Sequence, residues 1–161
     1  MKIGVVSDTH SRHATVSQVL AELQARGVTT VIHCGDIEDP KTVLLFRGLT
    51  THFVFGNCDG DKTGLRTAMA EVGATLHENF GHVEIAGRKI AFLHGDDKRM
   101  FHDVEYSGAY DFLFYGHTHQ PKEHLTGPTR VINPGALHRA RPKQFIVLDL
   151  PDGAIEPVEV E

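Results

Sequence analysis

An α/β architecture built on a mainly parallel sheet is encoded in this chain of 161 residues. Apolar runs of strand length alternate with segments of helical periodicity through the first half, a β-loop-α rhythm whose crossovers are right-handed and whose strands lie parallel. The rhythm then changes to short strands separated by turns, the pattern of antiparallel hairpins, so mixed sheets are expected.

Taken in order, Lys2 to Ser7 carries the buried-strand pattern Ile3-Gly4-Val5-Val6 and stops at Ser7-Asp8-Thr9-His10. Val16, Val19, Leu20 and Leu23 recur at helical spacing up to Arg26-Gly27, where glycine suits the position past a helix end. A second strand, Thr30-Val31-Ile32-His33, runs into Cys34-Gly35-Asp36. Pro40 opens a helix carrying Val43, Leu44, Leu45 and Leu49, and a third strand, His52-Phe53-Val54-Phe55, gives way to Gly56-Asn57-Cys58-Asp59. Helical Leu65 to Val72 closes at Gly73. Ala74 to Leu76, His82 to Ile85 and Lys89 to Leu93 follow as short strands expected to pair as antiparallel hairpins, and the last delivers His94-Gly95-Asp96-Asp97. Residues 98 to 109 form an irregular or helical connection. Phe112-Leu113-Phe114-Tyr115 is an apolar strand that stops at Gly116 and presents His117 and His119; in extended backbone both rings point to one side. Thr129 to Ile132 leads into Asn133-Pro134-Gly135, and Gln144 to Leu150 with Ile155 to Val160 make a terminal hairpin around Pro151-Asp152-Gly153. Loops after parallel strands gather along one edge of such a sheet, where open α/β folds place their sites, and Asp8, His10, Asp36 and Asn57 stand on that edge.

Totals narrow the function. With 40% hydrophobic and 23% charged residues the chain has the size and core of one compact domain. A net charge of -5, with no basic run beyond the cluster from Arg130 to Lys143, argues against a dedicated duplex-DNA binder, so an anionic substrate has to be held locally. No apolar stretch reaches the length of a signal peptide or membrane span, and two cysteines, Cys34 and Cys58, are too few for a disulfide scaffold, so a cytoplasmic location is expected. Twelve histidines are the outlier.

Asp8, His10, Asp36, Asn57, His94, His117 and His119 all fall at strand ends. That many oxygen and nitrogen donors exceeds the four that close a structural zinc site and suits two divalent ions sharing a bridging carboxylate, for which Asp36 is placed. Such ions lie roughly 3.5 to 4 Å apart and leave the site net positive, so that it draws a phosphate and acidifies a bound water. Metal-assisted phosphoryl transfer to water is the chemistry implied. Plainer roles stand beside it: Asp8 as a helix N-cap, Asp36 as a turn residue, and Asp59 or Asp61 as a cap for the helix after Asn57-Cys58-Asp59-Gly60. His33, His52, His82, His102 and His138 lack strand-end placement and receive no site role. The joint pattern carries the metal reading, not any single residue.

Asp8-x-His10, Gly35-Asp36, Gly56-Asn57-Cys58-Asp59, His94-Gly95 and Gly116-His117-x-His119 resemble, in order, the motifs of the calcineurin-like metallophosphoesterases. Together with the size and Asn133-Pro134-Gly135 they resemble the compact bacterial and archaeal phosphodiesterase branch. The resemblance implies that residues 1–161 form a single domain with a four-layer α/β/β/α sandwich of mixed sheets. It also implies a dinuclear centre of manganese, iron, nickel or zinc. Carried over by position, Asp8, His10, Asp36 and His119 resemble one metal site, and Asp36, Asn57, His94 and His117 the other. Cys58 and Asp59 fall in the motif that handles the leaving group. Three positions depart from the family: Cys58 replaces a histidine thought to protonate the leaving group, Asp96 a histidine that often follows His-Gly, and Ala136 a serine after Asn-Pro-Gly. These touch substrate handling and leave all the ligand positions filled.

Three functions compete. The first is a metal-dependent phosphoesterase, favouring diesters, in which a hydroxide bridging two metals attacks phosphorus in line and the metals stabilise the equatorial oxygens. Its partner is a small phosphoester, with Arg139 or Arg141 either touching the rest of it or serving as solvated surface; a homodimer is allowed. The alternative is a non-catalytic metal-binding scaffold of the same fold, since the retromer subunit resembles this family and works by binding partners. Such a scaffold has a defective metal site, whereas here the donor set is complete. A redox sensor using Cys34 and Cys58 is the third.

Overall fold

The computed structural model describes residues 1–161. In chain order its elements are β1 (Lys2–Val6), α1 (His13–Ala25), β2 (Thr30–His33), α2 (Pro40–Leu45), β3 (Thr50–Phe53), α3 (Lys62–Glu71), β4 (Thr75–Leu76), β5 (Phe80–Ile85), β6 (Arg88–Leu93), α4 (Lys98–Glu105), β7 (Phe112–Phe114), β8 (Lys122–Thr126), β9 (Thr129–Asn133), β10 (Lys143–Asp149) and β11 (Ala154–Val160). They build two sheets, in the strand orders β11-β10-β1-β2-β3-β4 and β5-β6-β7-β9-β8. Both are mixed: β1-β2-β3-β4 and β6-β7-β9 run parallel, while β10-β11, β1-β10, β5-β6 and β8-β9 are antiparallel.

Side-chain alternation along the strands stacks these sheets into four layers. Ile3 and Val5 of β1, Ile90 and Phe92 of β6 and Phe112 and Phe114 of β7 meet between the sheets in one apolar cluster. On the outer face of the first sheet, Val6, Val31 and Phe53 pack against Val16, Val19 and Leu23 of α1, Val43 of α2 and Leu65 and Met69 of α3. The intervening residues of the second sheet, Ala91, Leu93, Leu113 and Val131, turn outward and are covered by Met100, Phe101 and Val104 of α4. Helices, sheet, sheet and helix follow in that order, the expected α/β/β/α sandwich. Gly4 has a specific role in it, because a Cβ there would lie 2.6 Å from a methyl of Leu23; its absence lets α1 approach the sheet.

Three elements differ from the sequence expectation. β4 does not join a hairpin; it extends the first sheet in parallel with β3, because α3 intervenes and makes β3-α3-β4 one more crossover unit. β3 starts at Thr50 and leaves the ladder after Phe53, so Val54 and Phe55 are buried in the loop that follows. The connection after His94 takes the helical of its two expected forms, α4, capped by Asp97 through the amides of Arg99 and Met100. β8 was not foreseen, since its only large apolar residue, Leu125, is exposed and the strand simply covers the sheet edge.

Candidate metal centre

The loops after β1, β2, β3, β6 and β7 converge on one edge of the sandwich and bring the seven strand-end donors together. They do so in strained backbone. Asp8, His10, Asp36, His117 and His119 all have positive φ, between 42° and 67°, a region non-glycine residues enter at a cost. The expectation that His117 and His119 project from extended backbone is therefore corrected: each sits in the left-handed region, at φ 67° and 59°, and the fold of the loop aims the rings. Asn133 braces that loop, its Nδ2 donating to the Gly116 carbonyl at 2.9 Å and to Thr118 Oγ1 at 3.0 Å.

Asp8 is fully buried. Its Oδ2 accepts from Ser7 Oγ at 2.6 Å and from the His117 amide at 3.1 Å, and its Oδ1 has no hydrogen-bond partner. That oxygen faces Nε2 of His119 at 3.1 Å, of His10 at 3.7 Å and of His94 at 4.0 Å. Nδ1 of His10 is taken by Glu38 at 2.6 Å, which leaves its buried Nε2 unpartnered, 3.4 Å from Asp36 Oδ2. His94 is fixed in the same way: Nδ1–H donates to the Cys34 carbonyl at 2.8 Å, and Nε2 points to Asp36 Oδ2 at 3.2 Å and Asn57 Oδ1 at 3.0 Å. The Asn57 oxygen also lies 3.1 Å from Nδ1 of His117.

Lone pairs thus confront one another across a buried space, and only a positive charge resolves that. With protons alone available, burial disfavours the His10 cation but Asp8, Glu38 and Asp36 outweigh it and lift its pKa to about 9. His94 is raised likewise, against its burial, by Asp36 and Asp8. Burial opposes ionisation of Asp36, yet His94, the Cys58 amide and His10 hold its carboxyl down to about 2. Asp8 is also lowered, as His10, His94 and Ser7 overcome its burial. Asp8, His10 and His119 form one group whose ligand atoms lie within 4.8 Å of one another, and Asp8, Asp36 and His94 form another. This donor set, two carboxylates with three imidazoles of which His10 and His94 are tethered through their second nitrogen, fits divalent metals.

The remaining expected residues take distinct places. Cys58 is exposed, accepts weakly from Asn57 Nδ2 at 3.5 Å, and falls within the same 4.8 Å of His10 and Asp36; its amide donates to Asp36 Oδ1 at 2.8 Å. Burial and the Asp36 carboxylate push the thiol up to about 11. Cys34 is buried and burial pushes its thiol well up, so it makes a poor redox partner for the exposed Cys58. Asp59 is not a helix cap; Asp61 is, accepting from the Gly64 amide at 3.0 Å. The buried Asp59 carboxylate instead accepts from the amides of Asp36, Ile37, Glu38 and Gly56 and ties two site loops together. Glu38 and Ser7 carry no sequence signal of a site role, and His138, given none for lack of strand-end placement, is corrected: it stands against the site. His138 packs its ring 4.8 Å from that of His10, and no spacing rule marks a residue brought there by a distant loop.

A profile of the calcineurin-like phosphoesterase superfamily domain matches residues 1–153. A phosphodiesterase of Methanocaldococcus jannaschii is 32% identical over 138 residues, 84% of this chain and 83% of that protein. Among solved structures, an archaeal phosphodiesterase superposes with a TM-score of 0.92 at 28% identity, over 99% of this chain and 100% of its own. Vps29 of Entamoeba histolytica in complex with zinc gives 0.70 at 22% identity, over 99% and 98%, a likeness of fold.

Proposed function

Because this chain belongs to the calcineurin-like phosphoesterase superfamily, we propose that it is a phosphodiesterase working with two divalent metal ions. The observation that carries the reading is the pair of buried, unpartnered donor atoms, Asp8 Oδ1 and His10 Nε2, at the centre of a complete donor set. Asp8, His10 and His119 would hold one ion and Asn57, His94 and His117 the other, and Asp36, with Oδ2 within 3.4 Å of both His10 and His94, would serve both. When bound, two such ions supply an acidified water as nucleophile and neutralise the phosphoryl oxygens.

The chain's own residues do the rest. Glu38 and the Cys34 carbonyl fix which nitrogen His10 and His94 present. His117, Asn57 and Cys58 are exposed and form the mouth through which a small phosphoester enters. The kinship with a phosphodiesterase favours diesters over monoesters. No helix is long and apolar enough to cross a membrane, and we assign the protein to the cytoplasm. A non-catalytic scaffold shares the fold, but the filled donor set weighs against it.

The test is metal content beside turnover. With saturating manganese, elemental analysis should find two ions per chain, and bis(4-nitrophenyl) phosphate should be hydrolysed. Asp36→Asn should lose both ions and the activity. One ion or none in the wild type refutes the dinuclear reading.

A further inference from the structure

The cluster has two unlike flanks. Beside Asn57 and His94 lies a cavity of about 290 Å³ whose charged lining is mostly acidic, Asp59, Asp96 and Asp97 against Lys62. Beyond His10 lies a wider one, about 590 Å³, lined by Arg12, His13, His138, Arg139 and Lys143 and by no carboxylate. Arg26, Arg47, Arg66, Arg88 and Arg130 are each paired with an acid, whereas Arg12, Arg139 and Lys143 are paired with none. Asp39 is taken up by His13, and Glu38 by His10. Even with the charges of those two carboxylates standing, three cations without an acid partner around one cavity leave a local positive excess in a chain of net charge -5.

His138 is the wall between this cavity and the metal centre. Its ring lies 4.8 Å from that of His10 and 6.3 Å from that of His119. Nε of Arg12 donates to its Nδ1 at 3.0 Å, which fixes Arg12 at the boundary with the rest of its guanidinium unspent. Arg139 stands in left-handed backbone at φ 47°, a conformation kept only where the surroundings impose it. Guanidinium and ammonium groups in this arrangement suit phosphate, the arginines through paired N–H donors.

We propose that the cavity is a subsite for a second phosphate of the substrate, so that the diester cleaved carries a further phosphate on the half facing His138. One imidazole separates subsite from centre, so the linker between the phosphates is short, of the size of a single sugar. The reaction in this proposal rests on the phosphodiesterase reading, while the anion site rests on the cavity alone.

Two measurements keep these apart. After chelation of divalent ions, calorimetry should show one inorganic pyrophosphate bound per chain, more weakly as salt rises. The double variant Arg139→Gln/Lys143→Gln should weaken it by roughly tenfold or more, and Arg139→Lys should restore part of the loss. In the manganese-loaded protein, the 4-nitrophenyl ester of thymidine 5′-phosphate should be cleaved with a kcat/KM roughly tenfold higher when it carries a 3′-phosphate, and that ratio should fall toward one in the double variant. Pyrophosphate that does not bind, or binds a correctly folded double variant equally well, overturns the subsite. Binding with a wild-type ratio of one assigns the cavity to a free anion and overturns the substrate assignment. Turnover of neither ester with pyrophosphate still bound refutes the phosphodiesterase reading and leaves the anion site standing.

Discussion

Asp59→Asn probes the tie between the loops that carry Asp36 and Asn57. In the wild type, Oδ1 accepts from the amides of Ile37 and Glu38, both at 2.7 Å, and Oδ2 from those of Asp36 at 3.0 Å and Gly56 at 2.7 Å. Asparagine keeps one oxygen and turns an NH₂ toward two of these N–H groups. Two buried donors then lose their acceptor, at about 1–3 kcal/mol each, or about 2–6 kcal/mol together. For a chain of this size that is a fall in Tm of roughly 4–24 °C. The functional consequence follows from Asp36, which sits at φ 58° and is held there by the amides Asp59 binds. Once released, its carboxylate leaves the point between His10 and His94, and manganese affinity should drop by roughly 10- to 100-fold. Thermal melts in chelator and calorimetric manganese titrations read the two effects separately. Asp61→Ala serves as control: it removes an ordinary helix cap, costs about 1 kcal/mol and should leave metal binding intact. A melt within about 2 °C of wild type and an unchanged manganese isotherm for Asp59→Asn would refute the tie.

Other perturbations separate chemistry from stability. His117→Ala should abolish turnover with little change in Tm, because His117 is exposed, and a variant with most of its turnover would remove it from the ligand set. Cys58→His should raise kcat/KM on unactivated alkyl diesters by roughly tenfold or more relative to nitrophenyl diesters, since a thiol is a weak proton donor and an imidazolium a good one; an unchanged ratio with metals bound would leave Cys58 as a packing residue. Far from the centre, burial opposes ionisation of Glu105 but the bonds from His124 and Thr126, each 2.7 Å, hold its carboxyl below the usual range. A depressed pKa contributes stability that is full above the unfolded value, about 4.3, and lost as pH falls through the folded one. Glu105→Gln should therefore lose roughly 1 kcal/mol at pH 7 and show a flatter acid limb in Tm against pH, and parallel acid limbs would count against the pair.

The layers were legible because burial leaves a period. β1, β2, β6 and β7 are apolar at successive positions since both of their faces are covered, and that is visible as uninterrupted runs. β4 and β8 are edges with little buried area, so their residues carry no such imprint and only the neighbours they pair with define them. The donors were legible for a related reason: Asp8, Asp36, His94 and His117 each stand just past an apolar run. Glu38 and His138 act through contacts between loops distant in sequence, and a one-dimensional pattern contains no term for them; Asp59 was marked by its motif, but its tie to the amides of the Asp36 loop was not.

The glycine that precedes or follows so many of these donors shows where pattern and cause part. As sequence, Gly35-Asp36, Gly56-Asn57 and Gly116-His117 look like turn punctuation. In the folded chain the second and third of these glycines are needed for room. A Cβ on Gly56 would lie 2.2 Å from Oδ1 of Asp36, and one on Gly116 would lie 1.9 Å from Oγ of Ser7 and 2.5 Å from Oδ2 of Asp8. Each bare Cα lets the loop after one strand press against the carboxylate delivered by another. Gly56 also donates its amide to Asp59, and the amide after Gly116, that of His117, donates to Asp8. The same close approach therefore orients Asp8 and Asp36 and leaves the buried Asp8 Oδ1 facing three imidazoles with no proton donor aligned on it. The candidate cation site is made here by backbone packing first, and the donor side chains occupy the positions that packing leaves them.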